Sequence, residues 1–219
     1  MLKNITTKIF AVALFVCELI FIPTANVVFA DAAADVEKYT AEINANPNNA
    51  EAWAKRSEAY LAFGNYNQAI SDSTKAIELD PNNGLAWGIR GAAYFNLENH
   101  NQTISNLNKA IELGVKTSPV YYARGRAYAG VENYSQAMAD YNKAISINPE
   151  YADAYAWRAV LDVELNRGEM INDINKAIAL NPKKAYFYVI RWTIYDKLLG
   201  DKEKAQADWA MWEKLKNQG

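Results

Sequence analysis

Apolar and small residues recur every three or four positions from Ala50 onward, in paired stripes separated by a turn signal. Trp53, Ser57 and Tyr60 make one stripe; Ala69, Ser73, Ala76 and Leu79 make a second. That spacing puts each set on one face of an α-helix. Gly64-Asn65 between them marks a turn, and Asp80-Pro81 ends the second helix because proline has no N–H to continue it. The pattern predicts two short helices folded against each other, with Ser57, Ala69 and Ala76 small enough to let the backbones approach. Such a hairpin cannot cover its own aromatic stripe, so neighbouring hairpins must.

Neighbours of the same kind follow in phase. Trp53, Trp87, Tyr121, Tyr155 and Tyr188 head successive copies at spacings of 34, 34, 34 and 33 residues. KAIELDP at Lys75 returns as KAIELG at Lys109, KAISINP at Lys143 and KAIALNP at Lys176. A fixed period of this length is the signature of stacked supersecondary units. Trp53, Tyr60, Gly64, Ala69, Ala76 and Pro81, at these offsets, resemble the tetratricopeptide repeat (TPR) family, and the resemblance covers nearly all of the chain after its first thirty residues. It implies an all-α fold, a right-handed α-solenoid of stacked helix-turn-helix hairpins. For function it implies a scaffold, since one architecture serves many unrelated partners.

The expected organisation is a half repeat at 31–49, repeats at 50–83, 84–117, 118–151 and 152–184, and a divergent capping repeat at 185–219. Residues 31–46 read as a single helix closed by Pro47, covering the open end of the stack. The second repeat departs at Thr103 and replaces its proline turn with Gly114-Val115-Lys116-Thr117. The fourth has Asp162 in the place of the usual tyrosine and lacks one residue near Asn166-Arg167-Gly168. Asp162 reads as a local kink or a solvent-facing carboxylate, disturbing the packing rather than supplying chemistry. The last repeat puts Trp192 and Trp212 where the family has small residues, so the two are expected to fill one space together. The plain reading is a cap with a fatter interior; the alternative is an apolar end face that docks another copy.

Residues 1–30 fall outside the repeats and read as a secretory signal. Lys3 and Lys8 give a positive start, Ile9 to Cys17 is unbroken apolar sequence, and Val28-Phe29-Ala30 fits a cleavage site before Asp31. The rival reading is a membrane anchor over residues 9–29. It places Glu18 in mid-bilayer, at roughly 2.5–3.5 kcal/mol, with Pro23 close behind. A lipid-modified cysteine is rejected because Leu14-Phe15-Val16 lack the small residues such signals carry. The expectation is an extracytoplasmic protein, periplasmic or secreted, with no membrane insertion after cleavage.

Cleavage removes Cys17, the only cysteine, so the mature chain has neither disulfide nor thiolate ligand. It leaves 21 basic against 24 acidic residues, a net charge of −3 with histidine neutral. No basic run accompanies that balance, which argues against a nucleic-acid partner. His100, the only histidine, stands where Tyr66 and Tyr134 stand in other repeats and is expected to be a half-buried packing residue. With no second histidine and no cysteine, no transition-metal site is expected, and no cofactor. Serine-histidine-aspartate catalysis has no supporting motif, and Gly88 and Gly91 lie within a helix rather than in a phosphate loop. The acidic residues are spread one or two per helix, with no strand or loop to gather a glycosidase pair. The chain is not expected to be an enzyme. Asn101-Gln102-Thr103 and Asn133-Tyr134-Ser135 are glycosylation sequons, relevant only where the host modifies exported proteins.

Arg56, Arg90, Arg124, Arg158 and Arg191 form a ladder, one per repeat. A basic groove for an acidic peptide is one reading. The favoured reading pairs each with a residue of its second helix: Asp72, Asn106, Asp140, Asp173 and Asp208.

In proteins of the family, ligands lie along the concave face made by the first helices. The positions here that match are Lys55, Glu58, Phe95, Asn96, Tyr122, Arg126, Trp157 and Glu164, a mixture of charge and exposed aromatics suited to a peptide or partner helix. The places where the chaperone-tail-binding branch carries lysine and asparagine hold Ala54, Glu58, Gly88, Tyr122 and Arg126, so its carboxylate clamp is not supported. The expected function is a non-catalytic protein-interaction scaffold of the cell envelope. The alternatives are an envelope-assembly factor that binds a cell-wall glycan or lipid-linked structure through the aromatics, and an enzyme with an unfamiliar site.

Overall fold

The computed structural model describes residues 25–165 and 168–216, with side chains from Ala32 onward. Among them are eleven α-helices and no strand. They are α1 (Ala25–Ala45), α2 (Ala50–Ala62), α3 (Tyr66–Leu79), α4 (Gly84–Asn96), α5 (His100–Glu112), α6 (Ser118–Gly130), α7 (Tyr134–Ile147), α8 (Ala152–Leu165), α9 (Met170–Leu180), α10 (Ala185–Thr193) and α11 (Lys202–Lys216). The predicted all-α architecture of helical hairpins is what is found. Those residues up to Asp140 form one compact unit, and those from Tyr141 on form a second.

Asparagine caps several of the helix starts. Asn49, Asn83 and Asn99 each accept the N–H three residues on, from Ala52, Ala86 and Gln102, at 2.9–3.2 Å. These bonds satisfy N–H groups that have no partner inside the helix. Ahead of the hairpins, Asn46, Asp80, Asn148 and Asn181 accept the N–H two residues on, folding each proline turn the same way. The turn inside the hairpin takes a left-handed residue: Gly64 at φ 75°, then Glu98 at 55° and Glu132 at 58°. Only the first of the three has the residue type best suited to that backbone.

In the first unit, consecutive helices pack through small residues. Ala54 and Ala76 of one hairpin meet Ala86 at the start of the next, under Trp53, Ile77 and Leu85. Ala69 meets Ile89 and Ala93, under Tyr60, Leu61, Tyr66 and Ile70. At Gly91 an added Cβ would stand 2.4 Å from Cδ2 of Leu107, so the glycine is what lets α5 lie against α4. His100 is half buried as expected, its ring filling the space a Cβ on Gly130 would need.

Three details depart from the sequence reading. The helix predicted over 31–46 begins at Ala25, so the backbone is helical through the expected cleavage point at Ala30; residues 1–24 of the predicted leader lie outside the described residues. Asp162 is 3 % exposed, which overturns its reading as a solvent-facing carboxylate. It lies one helical turn from Arg158, and its charge helps hold that arginine in its ionised form. Finally, α10 widens into a π-helical segment at Ile194–Leu199, closed by Gly200 in the left-handed conformation. A π turn is how a helix absorbs one extra residue. Arg191 and Asp208 are 17 residues apart, whereas Arg56 and Asp72 are 16 apart, and they still meet.

Candidate partner-binding surface

The arginine ladder is structural. Arg56 donates to both carboxylate oxygens of Asp72 at 2.6 and 3.0 Å, Arg124 to Asp140 at 2.8 and 2.7 Å, Arg158 to Asp173 at 2.7 and 2.7 Å, and Arg191 to Asp208. The aspartates of these ion pairs keep only 4–8 % of their side chains exposed. The Asp72 hydrogen bond, against the opposing effect of burial, raises the Arg56 guanidinium above its ordinary value. Burial pulls Arg124 down, but the hydrogen bond and charge of Asp140 outweigh it.

Each arginine also makes a bond that the sequence reading did not include. The Nη1 group donates to Thr40 from Arg56, to Thr74 from Arg90, to Asn108 from Arg124, to Asn142 from Arg158 and to Asn175 from Arg191, at 2.7–3.1 Å. These acceptors belong to the second helix of the preceding hairpin, so a single guanidinium ties three helices together. The head aromatic lies beneath it, with Arg90 4.5 Å from the Trp87 ring and Arg56 4.8 Å from Trp53. Trp53 and Trp87 are themselves pinned by Nε1 bonds to the carbonyls of Pro47 and Pro81. With four of the five guanidiniums bonded to a carboxylate and all five reaching the preceding helix, the ladder is a scaffold rather than a groove for ligand.

The sequence-matched surface residues divide sharply. Phe95 of α4 and Tyr122 of α6 meet edge to face with ring centroids 6.4 Å apart. Arg126, one turn along α6, donates Nη1 to the Tyr122 hydroxyl at 3.1 Å and lies 5.7 Å from the Phe95 ring. The first helices of two successive hairpins thus present one cluster of two half-buried rings and a cation. Asn96 beside it folds back, its amide donating to the Ala92 carbonyl of its own helix.

Lys55 and Glu58 form an ion pair at 3.0 Å along α2, and the hydrogen bond to Glu58 raises the lysine above its ordinary value. They border a cleft of about 280 Å³ with Asp35 and Tyr39 of α1, floored by Ala59 and Ala62. In the second unit, Glu164 is half buried near the end of α8. Trp157 is a correction: it is 1 % exposed, among the most deeply buried side chains, and offers nothing to a partner. The single-stripe reading fails on α8 because the helix is buried nearly all round, with every residue from Ala159 to Val163 inside.

The last hairpin carries a feature the sequence reading half captured. Trp192 and Trp212 each contact a third ring, Trp209, at 5.3 and 4.5 Å between centroids. They share one space through Trp209, a third indole of the same hairpin.

Among the described residues no three histidine, cysteine or acidic side chains stand close enough to hold a metal ion. No described helix is long and apolar enough to cross a membrane.

Two family models described as tetratricopeptide repeat match the chain, at residues 50–83 and 118–151. Among solved structures it is similar to the crystal structure of MamA, at 29% identity and TM-score 0.62, over 71% of this chain and 92% of that one. The fold is also that of YrrB, described as a TPR protein with an unusual peptide-binding site, at 18% identity and TM-score 0.65 over 82% and 93% of the two chains. The first TPR of Spaghetti (RPAP3), solved bound to the HSP90 peptide SRMEEVD, is similar at 26% identity and TM-score 0.51, over 53% of this chain and 93% of that one. No curated protein matches. The recurring head aromatic, the small-residue helix contacts and these likenesses lead to one assignment: the chain is a tetratricopeptide-repeat protein.

Proposed function

We propose that this protein is a non-catalytic interaction scaffold of the cell envelope, holding an extended peptide or a partner helix against the first helices of its hairpins. The observation that supports this reading is the Phe95–Tyr122–Arg126 cluster. Its rings and cation are half buried and fixed in place, so a partner that lands on them loses water without having to order them first. A similar TPR domain is the one solved with the peptide SRMEEVD. Here Glu58, Tyr122 and Arg126 stand in the clamp places, so a partner is read by stacking and by Arg126 rather than by capture of a chain end. The envelope location rests on the leader-like segment at residues 1–30.

The test is affinity capture from the host's extracytoplasmic fraction, with the tagged wild-type chain beside a Tyr122→Ala, Arg126→Ala variant. Partners held by the wild type and lost by a variant of unchanged helical content support the reading. Partners that stay on the double variant place the binding surface elsewhere, and a chain found only in the cytoplasm removes the envelope role.

A further inference from the structure

The last described hairpin carries tryptophan at two positions that are closed in the earlier hairpins. At one, Ser73, Leu107, Tyr141 and Ile174 are 0–1 % exposed; at the other, Ala76, Ala110, Ala144 and Ala177 are 0 % exposed. Counting from the ladder aspartate, the last hairpin has Trp209 and Trp212 at these places, and Trp209 is 39 % exposed. Ala76 packs against Ala86 of the following hairpin. Trp212 therefore stands where the helix after an earlier hairpin packs, and Trp209 at the joint inside the hairpin, where it meets Trp192 in the place of Gly91. The indoles of Trp192, Trp209 and Trp212 stack along this hairpin, with Trp209 at its exposed edge.

We propose that this face docks the same face of a second copy of the chain, with α11 antiparallel to its counterpart across a two-fold axis. The charge pattern of α11 is what selects a copy. Lys202 and Glu213 are eleven residues apart, about three helical turns, and so lie on one line with Trp209 between them. In an antiparallel pair, Lys202 of each protomer faces Glu213 of the other, twice by symmetry, and the two Trp209 rings lie side by side within that frame. Lys202 is 73 % exposed and Glu213 53 %; Lys202 bonds Asp196 of its own chain at 2.6 Å and Glu213 lies 3.9 Å from Lys216, so each charge is shared between its own chain and the copy. The contact is small. A helix of this length is about 22 Å long, and one such pair buries less than the roughly 1,200 Å² of a stable interface. The dimer is therefore weak and forms as concentration rises. It is independent of the Phe95–Tyr122–Arg126 surface.

Sedimentation equilibrium of the purified protein over a concentration series tests the proposal. The expected result is a monomer–dimer equilibrium that Trp209→Gln abolishes with helical content retained. Lys202→Glu and Glu213→Lys are each expected to weaken association about tenfold, and the double variant to restore it. A wild type that stays monomeric throughout overturns the proposal. So does dimerisation that survives Trp209→Gln, or a double charge swap that fails to rescue.

Discussion

Arg90 donates its Nε to the side-chain oxygen of Asn106 at 2.6 Å, in the place where the other rungs of the ladder set a carboxylate. An amide offers one acceptor where a carboxylate offers two, and Asn106 turns its own N–H group to the Gln102 carbonyl. Burial consequently holds Arg90 below the ordinary arginine value, while the other four ladder arginines stand above it. Asn106→Asp completes the rung. It is expected to stabilise the chain by about 1–2 kcal/mol, the worth of a charge-assisted bond over a neutral one, read as a rise in melting temperature. A fall would show that the Gln102 bond matters more than the missing charge.

Arg124→Ala is expected to act in the opposite direction. It leaves Asp140, whose side chain is 5 % exposed, charged and unpaired, and it also cuts the bond to Asn108. Loss of one partner from a buried pair costs roughly 3 kcal/mol, which lowers the melting temperature by about 10 °C in a chain of this size. Binding by the intact remainder should be unchanged. Partner loss without a change in stability would return the ladder to the role of a groove.

Gly91→Ala drives a methyl group into Leu107, with 2.4 Å to Cδ2 and 2.8 Å to Cγ. Overpacking of this kind costs roughly 1–3 kcal/mol. The first hairpin meets the same joint with Ser57 and Ser73. Trimming the neighbour should therefore relieve the strain, and Gly91→Ala with Leu107→Val is expected to be more stable than the sum of the single changes allows. Strict additivity in thermal or chemical melts would mean that the two positions do not touch.

Asp196 in the π segment accepts hydrogen bonds from Lys197 and Lys202, which hold its carboxyl below the usual carboxylate value. A depressed folded-state value adds stability that is complete above the unfolded value, near about pH 4, and fades as pH falls through the folded one. Asp196→Asn should therefore melt below the wild type at neutral pH, by less than about 1 kcal/mol for so shallow a site. The two should converge in acid. A difference that persists in acid would mean that the side chain acts through shape rather than charge.

The hairpins and the ladder were legible because both are periodic: a residue that recurs at Arg56, Arg90, Arg124, Arg158 and Arg191 announces its partner by recurring with it. The third bond of each rung was equally periodic, at Thr40, Thr74, Asn108, Asn142 and Asn175, but threonine and asparagine are common on exposed helix faces and did not stand out. Trp157 misled for a different reason. An offset within the repeat identifies a face only while that face has one environment, and α8 is enclosed on nearly every side. The π segment could not be seen in a count that followed only the first-helix aromatics, since its extra residue lies after Tyr188. Phe95, Tyr122 and Arg126 could be named singly, but their meeting depends on how two neighbouring first helices lean together.

Because every guanidinium reaches back to the hairpin before it, the joint between modules is written in one side chain and one generic acceptor. Excision of residues 84–117, one whole module, would bring Thr74 into the place of Asn108 before Arg124, and either can accept the bond. A lineage built on such a joint can lengthen or shorten by whole modules through recombination, without a matching change on either side of the seam.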